Sequence, residues 1–328
     1  MGPAALPSGL SIFNGNESGG RSRMLKFALR RLGVAVLVAL TVSLLTFSMI
    51  YLSGDPAMAL AGETATQSDI ENIRRVYGYD QPIIVQYLSW LGNALQGDLG
   101  RSHYLKTDVS EVIFARLPNT MILGGTAITF ALILAIPLGV VAAIRPNSII
   151  DRIALTIAVI GQALPSFWFA LILIFFLGIT FRLLPITGTS SWMNFIMPSI
   201  ALGYYVTPGV MRLTRAGMLE VLGSDYIRTA KAKGLRPVTV LFKHALRNAI
   251  IPVVSLAAVQ FGFMLGGSIV IETIFAINGL GFLAWESIQR ADLPMMQAIV
   301  LVLSIIYILI TFLADIMNAW LDPRIRVN

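Results

Sequence analysis

The sequence predicts an all-α membrane protein: six transmembrane helices, short helices in one long outer segment, and a basic helical loop between the fourth and fifth spans. Three observations carry this reading. Apolar residues fill 56% of the 328 positions and charged residues only 12%. Six windows of membrane length contain no charged residue. The cations gather in loops on one side of those windows. A soluble domain interrupts its apolar patches with charge at short intervals, which this chain does not do. The absence of cysteine excludes disulfides, thiolate metal sites and a cysteine nucleophile together.

Residues 1–23, MGPAALPSGLSIFNGNESGGRSR, are rich in Gly, Ser, Pro and Asn without a helical period, and predict a disordered tail. They do not read as a signal peptide, because the apolar run follows the basic stretch Lys26, Arg30, Arg31 and lacks a small-residue cleavage site. Met24 is a candidate start, and the sequon-like Asn16-Glu17-Ser18 reads as chance on a cytoplasmic tail. A membrane domain is expected over 24–328. A spanning helix needs roughly 20 apolar residues. The windows are 32–52, 119–144, 153–179, 194–211, 250–271 and 294–314. Pro198, Gly203, Pro208 and Gly209 interrupt the fourth, which lipid tolerates where neighbouring helices satisfy the freed backbone groups.

An even number of spans places both termini on one side. That side collects Arg21, Arg23, Lys26, Arg30 and Arg31, then Arg145 and Arg152, then the cations from Arg212 to Arg247, then Arg324 and Arg326. By the positive-inside rule it is the cytoplasm. The short loops opposite hold Arg182 and Arg290. Segment 53–116 is also placed outside; its five cations are outnumbered by eight acids, and its length is at the limit where the rule applies. Within it, DQPIIVQYLSWLGNALQGDLG (80–100) carries apolar residues at helical spacing, with Tyr87 and Trp90 suited to the interface. Short helices on the outer membrane surface are expected there, capping the bundle or meeting an external partner.

Sites of covalent chemistry are not evident. There is no G-x-x-x-x-G-K-[ST] loop and no H-E-x-x-H, and the two histidines, His103 and His244, fall on opposite sides. GLGFLA (279–284) imitates a dinucleotide glycine pattern but lacks the strand that must precede it. Ionisable residues inside a span are functional candidates by default. Here Glu272 closes the fifth window and Asp315 ends the sixth, each expected near an interface where it stays hydrated in a structural or capping role. Ion-coupled transporters bury carboxylates or break helices near the midplane, and neither feature is expected here.

The basic loop spans about 212–249. SDYIRTAKAKGLRP reads as a small helix with Ser224 or Asp225 as N-cap, cations toward its C-terminal end, and Gly234 as the residue after the C-cap. Pro237 then opens a second helix through VTVLFKHALRN. Tyr226, Ile227 and Ala230 form an apolar side, whereas Arg228, Lys231 and Lys233 face water or headgroups. Two readings stand: an interfacial helix pair on anionic lipid, or a knob in a cytoplasmic partner's groove, where small Ala230 and Gly234 permit close approach.

DYIRTAKAKGLRPVTVLFKHALRNAIIPVV closely resembles the coupling loop of inner-membrane permease subunits in the dipeptide, oligopeptide and nickel branch of ATP-binding cassette importers. Colinear matches extend from Met24 onward and include LSGDPAMALAG, RLPNTMILG, ALPSFWFALILI, IETIFAINGLGFLAWESIQRADLPMMQA and LDPRIR. The wider superfamily pattern is Glu-Ala-Ala, three residues, Gly; Ala230 and Gly234 match it, while Arg228 and Thr229 replace its first two positions, and the later Leu-Pro is displaced, with Leu246 before Arg247 and proline only at Pro252. The resemblance implies the type I importer permease fold and a chain that binds no cofactor. It implies a homologous second permease as heterodimer partner, two cytoplasmic subunits that bind ATP and Mg, an extracytoplasmic substrate-binding protein, and membrane lipid; nucleic acid has no place in it. It places ATPase coupling on Asp225, Tyr226, Arg228, Thr229, Ala230, Lys231, Lys233, Gly234 and Leu235, within 225–248. For the translocation path the nominees are Gln162, Ser166, Phe167, Gln260 and Phe263, whose amide, hydroxyl and aromatic surfaces carry no charge. Peptides are the expected cargo, with nickel chelates, glutathione, opines or sugars as alternatives and ion-coupled transport as the reading from another class.

Overall fold

The structure is a computed structural model that describes residues 17–52, 54–62 and 65–321. Among these residues the regular structure is all helical, with one isolated bridge, Arg101 to Asp108, and no strand. Four helices are long and apolar enough to cross a membrane. They are α1 (Glu17–Leu52), α5 (Val109–Ile144), α13 (Ile251–Ile274) and α15 (Leu293–Leu321). The expected disordered tail is partly corrected, because residues 17–23 belong to α1; residues 1–16 lie outside the described set.

The third and fourth windows are not single helices. Pro165 breaks the third between α6 (Ile149–Ala163) and α7 (Ser166–Leu173), the latter running into a π-helical segment, Ile174–Thr180. A proline removes one amide donor and disturbs the turn before it. The Leu164 carbonyl at the break accepts from the Tyr204 hydroxyl, whose ring packs 4.4 Å from that of Phe169. The fourth window divides at Tyr204–Val206 into α8 (Ile196–Gly203), preceded by a 3₁₀ turn at Trp192–Phe195, and α9 (Thr207–Leu222). The two breaks therefore face one another, and a side chain of the fourth window satisfies a backbone carbonyl freed in the third. Helix α9 also carries the chain 11 residues past the predicted start of the basic loop (212–222), through Arg212 and Arg215.

Helix α5 is the axis of the packing. Its residues Ala127, Ala131 and Ala135 are fully buried, Gly139 continues the same four-residue interval, and the stripe admits α8 and α9 at close range. At 36 residues α5 is about 54 Å long, so it extends beyond a hydrocarbon layer of about 30 Å. It starts ten residues before the predicted window (109 against 119). Helices α1 and α15 pack along one flank, tied by Arg31–Asp315 at 2.9 Å. Leu37, Leu45 and Leu313 on them stay exposed, as side chains that face lipid do.

The outer segment is folded as short helices, α2 (Pro56–Ala61), α3 (Gln67–Val76) and α4 (Ile83–Leu95). Thr66 and Asp69 form a reciprocal capping box that starts α3. Tyr87 of α4 packs edge-on and Trp90 at a tilt against Phe47 of α1, with ring centroids 5.4 and 5.9 Å away.

Candidate functional site

Three places combine built geometry with a chemical purpose: the basic loop, an uncharged cavity at the helix breaks, and a buried carboxylate.

In the basic loop, Ser224 takes the N-cap position of α10 (Asp225–Ala232), whose backbone then closes tightly. Gly234, at φ +73°, donates to the Lys231 carbonyl at 3.0 Å, and Leu235 donates to that of Ala230 at 3.4 Å. These paired bonds are a Schellman closure, which requires a left-handed residue at the position Gly234 occupies. Pro237 opens the next stretch, α11 (Pro237–Thr239), a π segment (Val240–Leu246) and α12 (Arg247–Ala249), leading into α13. The two-helix reading of the loop is thus the structure's.

Orientation refines the apolar side. Ile227 and Ala230 are buried within the chain itself, against Val140 and Ala143 of α5, Met218 of α9, and Val240, Ala245 and Ala249. The small side chain of Ala230 therefore serves packing within this chain rather than a partner's approach. Tyr226 lies half exposed, its hydroxyl accepting from Asn248 at 2.8 Å. Asp225, Thr229, Lys231, Lys233 and Gly234 are exposed, as is Arg228, which pairs with Asp225 at 3.2 Å. Leu235 is exposed as well, joined by Val238 and Phe242 at 67% and 56% exposure. Sequence reasoning passed over Val238 and Phe242. Their signal is four-residue spacing on a short charged helix, which puts two large apolar groups on one face.

The base of the loop is clamped. Asp151, in the first turn of α6, receives both Nε and a terminal nitrogen of Arg215 in α9, at 2.7 and 2.6 Å. The Arg215 guanidinium and the Asn147 amide hold this carboxyl below its usual range against the opposing effect of desolvation.

The cavity, about 680 Å³, lies where the two helix breaks meet α13. Gln162, Ser166, Gln260 and Phe263 line it, with Tyr205 and Met264. Four of the five nominated path residues thus come together. Phe167 does not line it; it sits on α7, half exposed. Arg212 reaches Gln162 Oε1 at 3.3 Å, and among the described lining residues none is Asp, Glu, His, Lys or Arg.

The carboxylate overturns an expectation. Glu272 is wholly buried, not hydrated at an interface. One oxygen accepts from Thr120 at 2.9 Å and Ser268 at 2.8 Å; the other accepts from the Phe282 amide at 2.9 Å. Thr120 in turn accepts from the Leu280 amide at 2.7 Å. The group therefore binds α5, α13 and the start of α14 (Leu280–Gln289) together. A Cβ on Gly279 would fall 2.4 Å from a Glu272 oxygen, and one on Gly281 2.9 Å from the Ile269 backbone. The glycines of GLGFLA serve close packing around a carboxylate. A buried carboxylate and broken helices, the two features associated with ion coupling, are therefore both present. Outside this cluster, Arg116 pairs with Glu286 at 2.9 Å, and Asp292 accepts from Ser102 and the His103 amide, joining the 97–108 turn to the end of α14.

Comparison with known proteins supplies what geometry alone does not. A family profile described as "Binding-protein-dependent transport system inner membrane component" matches residues 135–327, and the profile of its N-terminal portion matches 24–124. The glutathione transport system permease protein GsiC of Escherichia coli is 40% identical over 304 residues, covering 92% of this chain and 99% of the relative; that of Shigella dysenteriae serotype 1 matches equally. Two crystal forms of the inward-facing MetNI methionine ABC transporter share the fold, with TM-scores of 0.55 and 0.54 at 20% identity, covering 64% of this chain and 96% of the other.

Proposed function

We propose a function from one premise: the chain belongs to the family of binding-protein-dependent transport system inner membrane components. It is a membrane permease of an ATP-binding cassette importer. In the reading proposed here it forms half of a translocation pathway for small peptides or peptide-like solutes and performs no covalent step itself. ATP and Mg bind to two partner subunits beneath it, a homologous permease completes the pathway, and a substrate-binding protein delivers cargo from outside. The basic side of the bundle, with both termini, faces the cytoplasm.

The observation that carries this reading is the two-sided construction of the basic loop. Its inner side, Ile227 and Ala230, is packed on the ends of α5 and α9, and its outer side offers Tyr226, Leu235, Val238 and Phe242 among cations. A partner gripping the outer side moves the loop as a rigid body, and the inner packing passes that movement to the helices that bound the cavity. The loop thus favours docking over the lipid-only reading, since large apolar groups among cations suit a protein groove. A cavity whose described lining carries no charged side chain suits passage with little retention, which leaves selection to the binding protein.

Ion coupling has two features in its favour, the buried carboxylate and the breaks, but Glu272 is committed to three donors within the protein. The test is reconstitution with the ATPases and binding protein in vesicles. ATP hydrolysis and uptake are expected to rise with binding protein loaded with dipeptide, oligopeptide or glutathione. Uptake that persists without the ATPases, driven by an ion gradient, defeats the proposal.

A further inference from the structure

We propose that the outer segment holds the headgroup of an anionic phospholipid in the cavity enclosed by α3, α4, the 97–108 turn and the first turn of α15. This cavity measures about 640 Å³ and is separate from the one at the helix breaks. Arg75, Arg101 and Lys106 line it, and none of the other described lining residues is a carboxylate. Arg101 is held toward Lys106 by its 2.9 Å bond to the Lys106 carbonyl; its one acidic contact, to Asp108, is long at 3.6 Å and solvent-exposed. His103 also lines the cavity, and burial together with Lys106 lowers its pKa, against the pull of Asp292, so it presents a neutral ring. Three cations thus converge on a space without an opposing charge, the composition that suits a phosphate group.

A second observation, independent of the cations, points to a ligand. Gln297 of α15 lines the same cavity, is only 6% exposed, and its amide nitrogen has no hydrogen-bond partner. Buried amide donors are paired in nearly all folded proteins, so an unpaired one on a residue that lines a cationic space calls for an acceptor. Phosphate and glycerol oxygens are such acceptors.

Depth identifies the source of the phosphate. The charge-free run of α1 continues to Leu52, five residues beyond Phe47, which lines the cavity; that of α15 begins at Leu293, one residue before Pro294, which also lines it. The cavity therefore sits beside the outer ends of both apolar helices, where Trp90 adds an interfacial ring. Alongside, α4 leaves Ile84, Leu88 and Leu95 exposed on one face, at 73%, 59% and 81%. An exposed apolar stripe at headgroup depth beside a cationic pocket is the arrangement of a helix lying in the membrane surface. A lipid satisfies both parts at once, its acyl chains along α4 and its phosphate in the pocket. A soluble anion satisfies only one.

The test uses the full chain, purified with its partner subunits and transferred to vesicles of dioleoyl phosphatidylglycerol and dioleoyl phosphatidylcholine in equal amounts. Native mass spectrometry is expected to find phosphatidylglycerol retained at least tenfold over phosphatidylcholine. In Arg75→Gln/Arg101→Gln/Lys106→Gln, that preference falls at least tenfold, whereas the control Arg145→Gln/Arg152→Gln, at the opposite end of α5, keeps it. Unchanged retention in the triple variant, equal loss in the control, or displacement of the lipid by millimolar inorganic phosphate overturns the assignment. So does retention that is unchanged while affinity for the binding protein falls, since the pocket then belongs to a protein partner. A measurement on the unmodified chain guards against misfolding of the variant. The emission of Trp90, taken as the difference between wild type and Trp90→Phe, is expected to be quenched more by brominated phosphatidylglycerol than by brominated phosphatidylcholine, and equal quenching counts against the site.

Discussion

The turn at Gly234 and the turn at Gly279–Gly281 both join two helices through glycine, yet they are built oppositely. Around Gly234 there is open space: an added Cβ meets nothing within 4 Å, and only the φ of +73° demands glycine. Around Gly279 and Gly281 there is no space, and an added Cβ strikes a carboxylate or a backbone. The first turn is a conformational solution left exposed; the second is a steric solution closed around Glu272. The difference separates an open part of the molecule, proposed above as the docking element, from one packed to hold still.

The closed turn yields the largest expected effect. Glu272→Ala leaves the Thr120 hydroxyl and the Phe282 amide without an acceptor, while Ser268 keeps the Leu265 carbonyl, and buried unsatisfied donors cost about 1 to 3 kcal/mol each. Purified protein should melt far below wild type in detergent, with Glu272→Gln intermediate; an unchanged melting temperature for the alanine variant removes the staple from the comparison.

Next, the open turn separates conformation from contact. Gly234→Val cannot adopt the left-handed φ comfortably and should abolish uptake while the protein still inserts in the membrane. Gly234→Asn tolerates that φ. If it transports normally, the glycine is there for conformation alone; if it fails to retain the ATPases, the open space beside Gly234 is needed by the partner.

A smaller effect is expected at the outer side of the loop. Phe242→Asp places a charge where a large apolar group stands exposed and should weaken ATPase co-purification about tenfold, equivalent to about 1.4 kcal/mol, without changing the melting temperature. A variant that loses stability and keeps its ATPases reverses the assignment of that face.

The smallest effect is at the clamp beneath the loop. Arg215 lowers the folded-state pKa of Asp151, so the pair's contribution is fully present above the ordinary aspartate value of 3.8 and is lost as pH falls through the depressed one. The melting difference between wild type and Asp151→Asn should be constant from pH 5 to 8 and shrink only below about pH 4. A difference that already changes near pH 6 assigns the effect to another group.

Much of this was legible from local pattern. Charge-free windows located the spans of α1, α5, α13 and α15, because a single helix must bury its own backbone and needs only length and apolarity to do so. The Gly234 turn was legible because Ser224, Gly234 and Pro237 act on their own backbones. Of the four nominees that line the cavity, Gln162, Ser166 and Gln260 stand out as polar residues within apolar runs and Phe263 as an aromatic beside them. The misses share a cause. Pro165 was visible, but the break it makes is held open by Tyr204, about forty residues away, and nothing near Glu272 in sequence announces Thr120 or the folded-back Phe282 amide.

What the sequence determined by itself is thus a membrane protein of long apolar helices with one basic, glycine-closed helical loop, since hydropathy, charge placement and turn chemistry act over a few residues. Tertiary structure alone decided which side of that loop is spent on the protein's own interior, that the third and fourth windows break against each other around a cavity, and that Glu272 is sealed among donors. These depend on which distant side chains arrive at the same point, and no local rule of spacing contains that information.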